Sequence, residues 1–133
     1  MADKAERLAR RLAARKARGA AARVSGRRQE IVAALLLMAK GYRILGFRLK
    51  TPEGEIDLLA QRGDVLAVVE VKSRTTLDAA LEAVSANQRQ RLKRAARAIA
   101  ARRSMRPNVR LDLVALAPGA WPRHIPDAWR EDS

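Results

Sequence analysis

The chain has 133 residues, 48% of them hydrophobic and only 3% aromatic, which suits one compact domain with a core of Ala, Leu, Ile and Val. Its 28 Lys and Arg against 14 Asp and Glu give a net charge of +14 and mark a polyanion as the natural partner, nucleic acid first and an anionic membrane surface second. With no cysteine and one histidine, disulfides, thiolate zinc sites, thiol nucleophiles and histidine metal clusters are excluded, so any metal is held by oxygen.

Residues 1–28 interleave Ala and Leu with ten basic residues and two acids and hold no apolar stretch of the secretory kind. Residues 1–25 read as an Ala/Arg-rich arm, flexible or partly helical on its own, because no apolar face is wide enough to dock. From Gly26 onward the pattern becomes that of a buried helix. The apolar run 31–39 is nine residues, where a membrane span needs roughly 20. It closes on Lys40-Gly41, a basic last turn and a glycine stop. A soluble cytoplasmic protein that does not enter a membrane is expected.

Residues 42–50 read as a first strand and Thr51-Pro52-Glu53-Gly54 as a turn. Residues 55–60 and 65–72 flank Gln61-Arg62-Gly63-Asp64, the clearest hairpin signal in the chain. Residues 79–103 are predicted helical, with Leu92, Ala95, Ala96 and Ile99 on one face. Pro107 ends that stretch, and residues 109–116 form a further strand. The tail after Pro118 is expected to be irregular. There Trp121 and Trp129 should pack over the core and His124 should make a structural hydrogen bond or be exposed. Asp112, on the last strand, should pair with a nearby arginine.

With Arg62 and Gly63 as the turn residues, position 57 pairs with 68 and position 55 with 70. One face then collects Ile56, Leu58, Ala67, Val69 and Val71, and the other Glu55, Asp57, Leu59, Leu66, Val68, Glu70 and Lys72. Asp57 and Glu70 sit diagonally on neighbouring strands, their Cβ atoms about 7 to 8 Å apart. Two such carboxylates repel unless a positive group lies between them, and a hard divalent ion, Mg²⁺ or Mn²⁺, needs only one or two carboxylates with waters and phosphate oxygens. Lys72 shares the face and suits a compact ammonium beside an attacking water or a strained phosphate. Glu55 is a further acid on that face. Residues 53–70 hold five acids and one base, a net of −4 inside a chain of +14. The alternative at this point is a solvated edge hairpin whose acids pair with Lys72 or Arg74.

Residues 85–103 hold seven bases and no acid. Arg89, Lys93 and Arg97 form a stripe opposite the apolar face, which can follow a phosphate backbone while the helix docks.

Gly54-Glu55-Ile56-Asp57-Leu58-Leu59-Ala60 followed by Val69-Glu70-Val71-Lys72-Ser73-Arg74 resembles the signature of the YraN-like family of small uncharacterised bacterial proteins. That family belongs to the PD-(D/E)XK nuclease superfamily and is similar to archaeal Holliday-junction resolvases. The resemblance spans roughly residues 26–131, with support from Glu30, from Gly41-Tyr42-Arg43-Ile44-Leu45, from Arg110-Leu111-Asp112-Leu113-Val114, and from His124-Ile125 and Ala128-Trp129. It implies an α/β fold with a restriction-endonuclease-like core, a central mixed β-sheet flanked by helices, in a single nuclease-like domain over residues 26–133. It also implies that Asp57 and Glu70 are metal ligands, that Lys72 is the catalytic lysine, and that Glu30 is a third acidic member of the catalytic and metal set. The chain departs from the family at Arg48, where an asparagine is common, and at Gln88, where a lysine is common.

The expected function is a metal-dependent endonuclease using Mg²⁺ or Mn²⁺ on DNA, more than RNA, with branched or junction DNA as candidate substrates. Arg74, Arg89, Lys93 and Arg97 would contact the nucleic acid. The alternative is a non-catalytic nucleic-acid-binding protein with a residual nuclease-like site. Oligomeric state stays open, a homodimer included.

Overall fold

The computed structural model describes residues 4–130. In chain order it has α1 (Lys4–Ala39), β1 (Arg43–Thr51), β2 (Gly54–Arg62), β3 (Val65–Ser73), α2 (Leu77–Glu82), α3 (Ala86–Arg102), β4 (Asn108–Leu116) and β5 (Arg123–Ile125). The five strands form one mixed sheet in the order β1-β2-β3-β4-β5. Only the β3–β4 pair is parallel, joined by the α2–α3 crossover, and the other three pairs are antiparallel. This is the restriction-endonuclease-like α/β architecture that the motif implied.

The sheet is buried on both faces. On one side α1 sets Ala33, Ala34 and Leu37 against Leu58, Ala60, Ala67, Val69 and Val114. On the other α3 sets Leu92, Ala95, Ala96 and Ala100 against Ile56, Leu59, Leu66, Val68 and Leu111. The helices contribute many alanines, so they approach the sheet closely and the larger side chains come from the strands.

α1 runs unbroken from Lys4, so the Ala/Arg arm and the core helix are one element. Ala and Arg are strong helix formers and no proline interrupts them. Its end at Gly41 follows from a Schellman motif: Tyr42 N–H bonds the Leu37 carbonyl, Gly41 N–H bonds that of Met38, and Gly41 has φ 90°. The stretch expected as one helix is two, because Thr76 and Ser85 each cap a new N-terminus, accepting from the N–H of Ala79 and Gln88. The tail is less irregular than expected. Residues 123–125 close the sheet as β5, and Trp129 packs against the α3-side core and donates to the Leu81 carbonyl. Trp121 does not pack: it is 90% exposed.

The hairpin register differs from the expected one. Arg62 pairs with Val65 and Leu58 with Val69, so the two loop residues are Gly63 and Asp64. Gly63 has φ 60° and Asp64 does not share the left-handed backbone, the geometry of a type II′ turn with glycine first. The expected loop would have forced Arg62 toward that conformation. The shift is two positions along the partner strand, so Leu58, Ala67, Val69 and Val71 keep one face and Leu59, Leu66 and Val68 the other, while Ile56 joins the α3-side core. Arg48, with φ 49°, lies between the pairs Phe47↔Leu58 and Leu49↔Ile56, which keep one register, while the β1–β2 register itself shifts between Ile44 and Gly46. Beyond this residue Leu49 and Ile56 turn together to the α3 side.

The C-terminus of α3 closes in the same way as α1, with Met105 N–H on the Ala100 carbonyl and Ser104 N–H on that of Ala101, but the left-handed residue is Ser104, φ 55°. A Cβ is disfavoured there and the residue is exposed. Ser104→Gly should therefore stabilise the fold by about 0.5–1 kcal/mol, measured by urea denaturation. Unchanged or lower stability would show that the serine conformation carries no strain.

Candidate metal and nucleic-acid site

Asp57 and Glu70 meet because the β2–β3 ladder ends just before them. The last pair is Leu58↔Val69, and just past it the Asp57 carboxylate lies beside Glu70. The Asp57 carboxylate takes over from the missing backbone partner: Val71 N–H donates to its Oδ2 at 3.0 Å. Glu70 is 1% exposed, and its Oε1 is buried with no hydrogen-bond partner. Its other oxygen lies 4.0 Å from the Lys72 ammonium. Burial first, and the neighbouring Asp57 charge second, push the Glu70 carboxyl up to about 8, against a smaller opposing pull from Lys72.

A buried carboxylate oxygen without a donor is a costly arrangement that a cation relieves. Two neighbouring carboxylates on adjacent strands, with one oxygen unsatisfied, fit a hard divalent ion that completes its shell with water or phosphate oxygens. Asp57, Glu70 and Lys72 are thus brought together.

Glu30 is placed differently. It lies on α1, and both its oxygens accept from Arg48 Nε at 2.9 Å. Among the described residues no group of three or more His, Cys, Asp or Glu side chains could hold a metal ion. Arg48, a departure from the family pattern, therefore decides where Glu30 points. The signal was present: a left-handed residue inside a strand favours asparagine, so an arginine there keeps the strained backbone and adds a cation. Glu55 is exposed at the start of β2.

The second buried acid has the opposite chemistry. Asp112, fully buried on β4, accepts from Arg110 at 2.7 and 2.8 Å, from His124 Nε2 at 2.8 Å and from the Asp127 N–H at 3.0 Å. Burial pushes its carboxyl up, but the bonds from His124, Arg110 and the Asp127 backbone outweigh this and hold it below the usual range. His124 in turn bonds Lys40, and Tyr42 meets both the His124 ring edge-on and the Arg110 guanidinium. The arginine partner expected for Asp112 and the structural bond expected for His124 are both present. This network locks β5 and the tail to β4.

Of the basic residues, Arg74 is exposed just past β3 and bonds the Ser73 carbonyl. Arg89 donates to the Val84 carbonyl and lies over the Trp129 ring at 5.5 Å. Lys93 and Arg97 line a cavity at the open end of β4. No helix among the described residues is long and apolar enough to cross a membrane.

The model of the uncharacterised protein family UPF0102 matches residues 29–116. A UPF0102 protein of Caulobacter vibrioides strain NA1000 is 68% identical over 117 residues, 86% of this chain and 94% of the relative. One from Caulobacter sp. strain K31 is 69% identical over 121 residues, covering 90% and 87%. One from Parvibaculum lavamentivorans is 51% identical over 116 residues, covering 86% and 87%.

The Glu70 carboxyl makes metal-free stability depend on pH. Unfolded it ionises near 4.5, and folded it keeps its proton to about 8, so stability is fullest below 4.5 and falls as pH rises through 8. Glu70→Gln should remove this slope. In chelator-treated protein the variant should exceed the parent at pH 8 by on the order of 3 kcal/mol and match it near pH 4.5, measured by urea denaturation. Parallel pH profiles for the two proteins would show that Glu70 is ionised in the fold.

Proposed function

Since the chain belongs to the UPF0102 family, its own site must carry the functional reading, and we propose that it is a metal-dependent endonuclease hydrolysing phosphodiester bonds in DNA, branched or junction DNA included. The observation behind this reading is the buried Glu70 oxygen without a partner, held against Asp57 and beside Lys72. A structural ion pair would have been satisfied, as Asp112 is.

In this reading Asp57 and Glu70 hold Mg²⁺ or Mn²⁺, with the Val71 N–H fixing the Asp57 carboxylate. The bound ion supplies Lewis-acid polarisation of the scissile phosphate and a water of lowered pKa. Lys72 offsets the paired acids while the site is empty of substrate, and hydrogen-bonds the attacking water or a phosphate oxygen when DNA is bound. Water adds to phosphorus as one P–O ester bond breaks, and the leaving oxygen takes up a proton. Arg74 and the α3 bases carry the flanking phosphates. Glu30 joins the acidic set only when Arg48 releases it.

The second reading is a nucleic-acid-binding protein without catalysis, and its support is the Glu30–Arg48 pair, which occupies an acid that the nuclease set would use. Asp57→Ala and Glu70→Ala separate the two. Each should abolish Mg²⁺-dependent cleavage while preserving metal-free DNA binding, and Asp57→Ala should tighten it because a repulsive charge is lost, whereas Glu70 keeps its proton below about pH 8 and loses none. Lys72→Ala should lose cleavage with a modest loss of binding. A cleavage screen over linear, single-stranded, flap and four-way DNA, paired with a metal-free titration, reads both. Cleavage that survives in Asp57→Ala would overturn the mechanism, and no cleavage by the parent with either metal would favour the binding reading.

Arg48→Asn should suit the left-handed backbone and free Glu30. Calorimetric titration with Mn²⁺ should then show affinity rising severalfold over the parent. Affinity equal to the parent's would remove Glu30 from the metal set.

A further inference from the structure

Where β4 runs past the end of β5, a cavity of about 310 Å³ opens between β4 and α3, lined by Lys93, Arg97, Asn108, Arg110 and Asp127 among others. Its charges are not equally committed. Arg110 is fixed by both oxygens of Asp112 and by the hydroxyl of Tyr42, a residue of the α1-side core, so its charge is committed to that network. Asp127, the one acid lining the cavity, accepts from Arg130 at 3.3 Å, and the Asn108 amide donates to Asp64. Lys93 is half-buried and Arg97 exposed, and neither has a carboxylate partner among the described residues. Two uncommitted cations one helical turn apart, lining one concavity, make a site for an anion of phosphate size.

The cavity lies well away from the carboxylates. Val65 on its rim and Glu70 are five residues apart on β3, about 17 Å at 3.3 Å per residue. On a duplex that span corresponds to about five base pairs along the axis. We propose that this cavity is a phosphate subsite for the backbone of bound nucleic acid, with Lys93 and Arg97 as its ligands. It anchors the polymer about five base pairs from the phosphate at the Asp57–Glu70 pair. The proposal rests on the preceding reading for the class of polymer, but not on catalysis.

The test uses the full chain in chelator and a 20-base-pair duplex, with affinity measured by fluorescence anisotropy over a salt series. Lys93→Gln with Arg97→Gln should weaken binding at least tenfold and lower the slope of log K against log salt by about 0.9, one phosphate contact. The charge-matched pair Arg102→Gln with Arg103→Gln, at the far end of the same helix, should leave the slope unchanged. Equal losses in both pairs would reduce the effect to overall charge and overturn the subsite. Failure of the parent to bind the duplex would overturn it as well. Inorganic phosphate, followed by amide chemical shifts, distinguishes the source of the anion. Shifts at Lys93 and Arg97 with duplex affinity intact in the double variant would assign the cavity to a free phosphate and overturn the nucleic-acid assignment. Cleavage is read separately: an inactive parent counts against the nuclease reading alone, while the salt slope decides the subsite.

Discussion

The interaction on which the site depends is the repulsion between two carboxylates that the hairpin brings together. Asp57 and Glu70 come together where the β2–β3 ladder stops, and the Asp57 side chain takes the Val71 N–H there. Sheets bury such pairs only when something offsets them, since like charges directly across a strand pair are destabilising. Here the offset within the chain is incomplete. Lys72 stands 4.0 Å from one Glu70 oxygen, and the other has no partner. Burial first and this repulsion second hold the proton on Glu70, which the folded chain retains to about pH 8.

Asp112 shows that the same sheet can bury an acid at rest. It is as deeply enclosed as Glu70, yet it receives a two-pronged arginine, a histidine and a backbone N–H, and it stays ionised. The two acids sit on neighbouring strands, Glu70 alongside Leu113 in the β3–β4 register. One is satisfied and serves the fold. The other is left short of donors at the end of the sheet where the hairpin opens, as groups that meet a ligand tend to be.

Charge follows a similar division. The acids of β2 and β3 stand within a chain of net +14, and the bases that flank them are held to different degrees. Arg48 is spent on Glu30, Arg89 on Trp129 and the Val84 carbonyl, and Arg94 lies 3.5 Å from Glu53. Lys93 and Arg97 remain at the rim of a cavity. A stripe that looks uniform along the helix thus becomes, once packed, an anchored end and an open end.

The sequence by itself determined the hairpin, the faces of its strands, the acidic island, the basic helix and the motif that places Asp57, Glu70 and Lys72 together. These follow from period-two alternation and local spacing, which a two-position slip does not disturb. Local pattern does not choose the loop residues because Gly63 can serve as either loop position, and only the type II′ geometry selects the first. Tertiary structure alone decided that Asp57 takes the Val71 N–H beside Glu70, that Ile56 crosses to the α3 side, that Arg48 captures Glu30, and that His124 and Asp112 join across β4 and β5. Each of these depends on contacts between residues far apart in the chain, or on a single left-handed residue inside a strand. Local pattern carries no information about either.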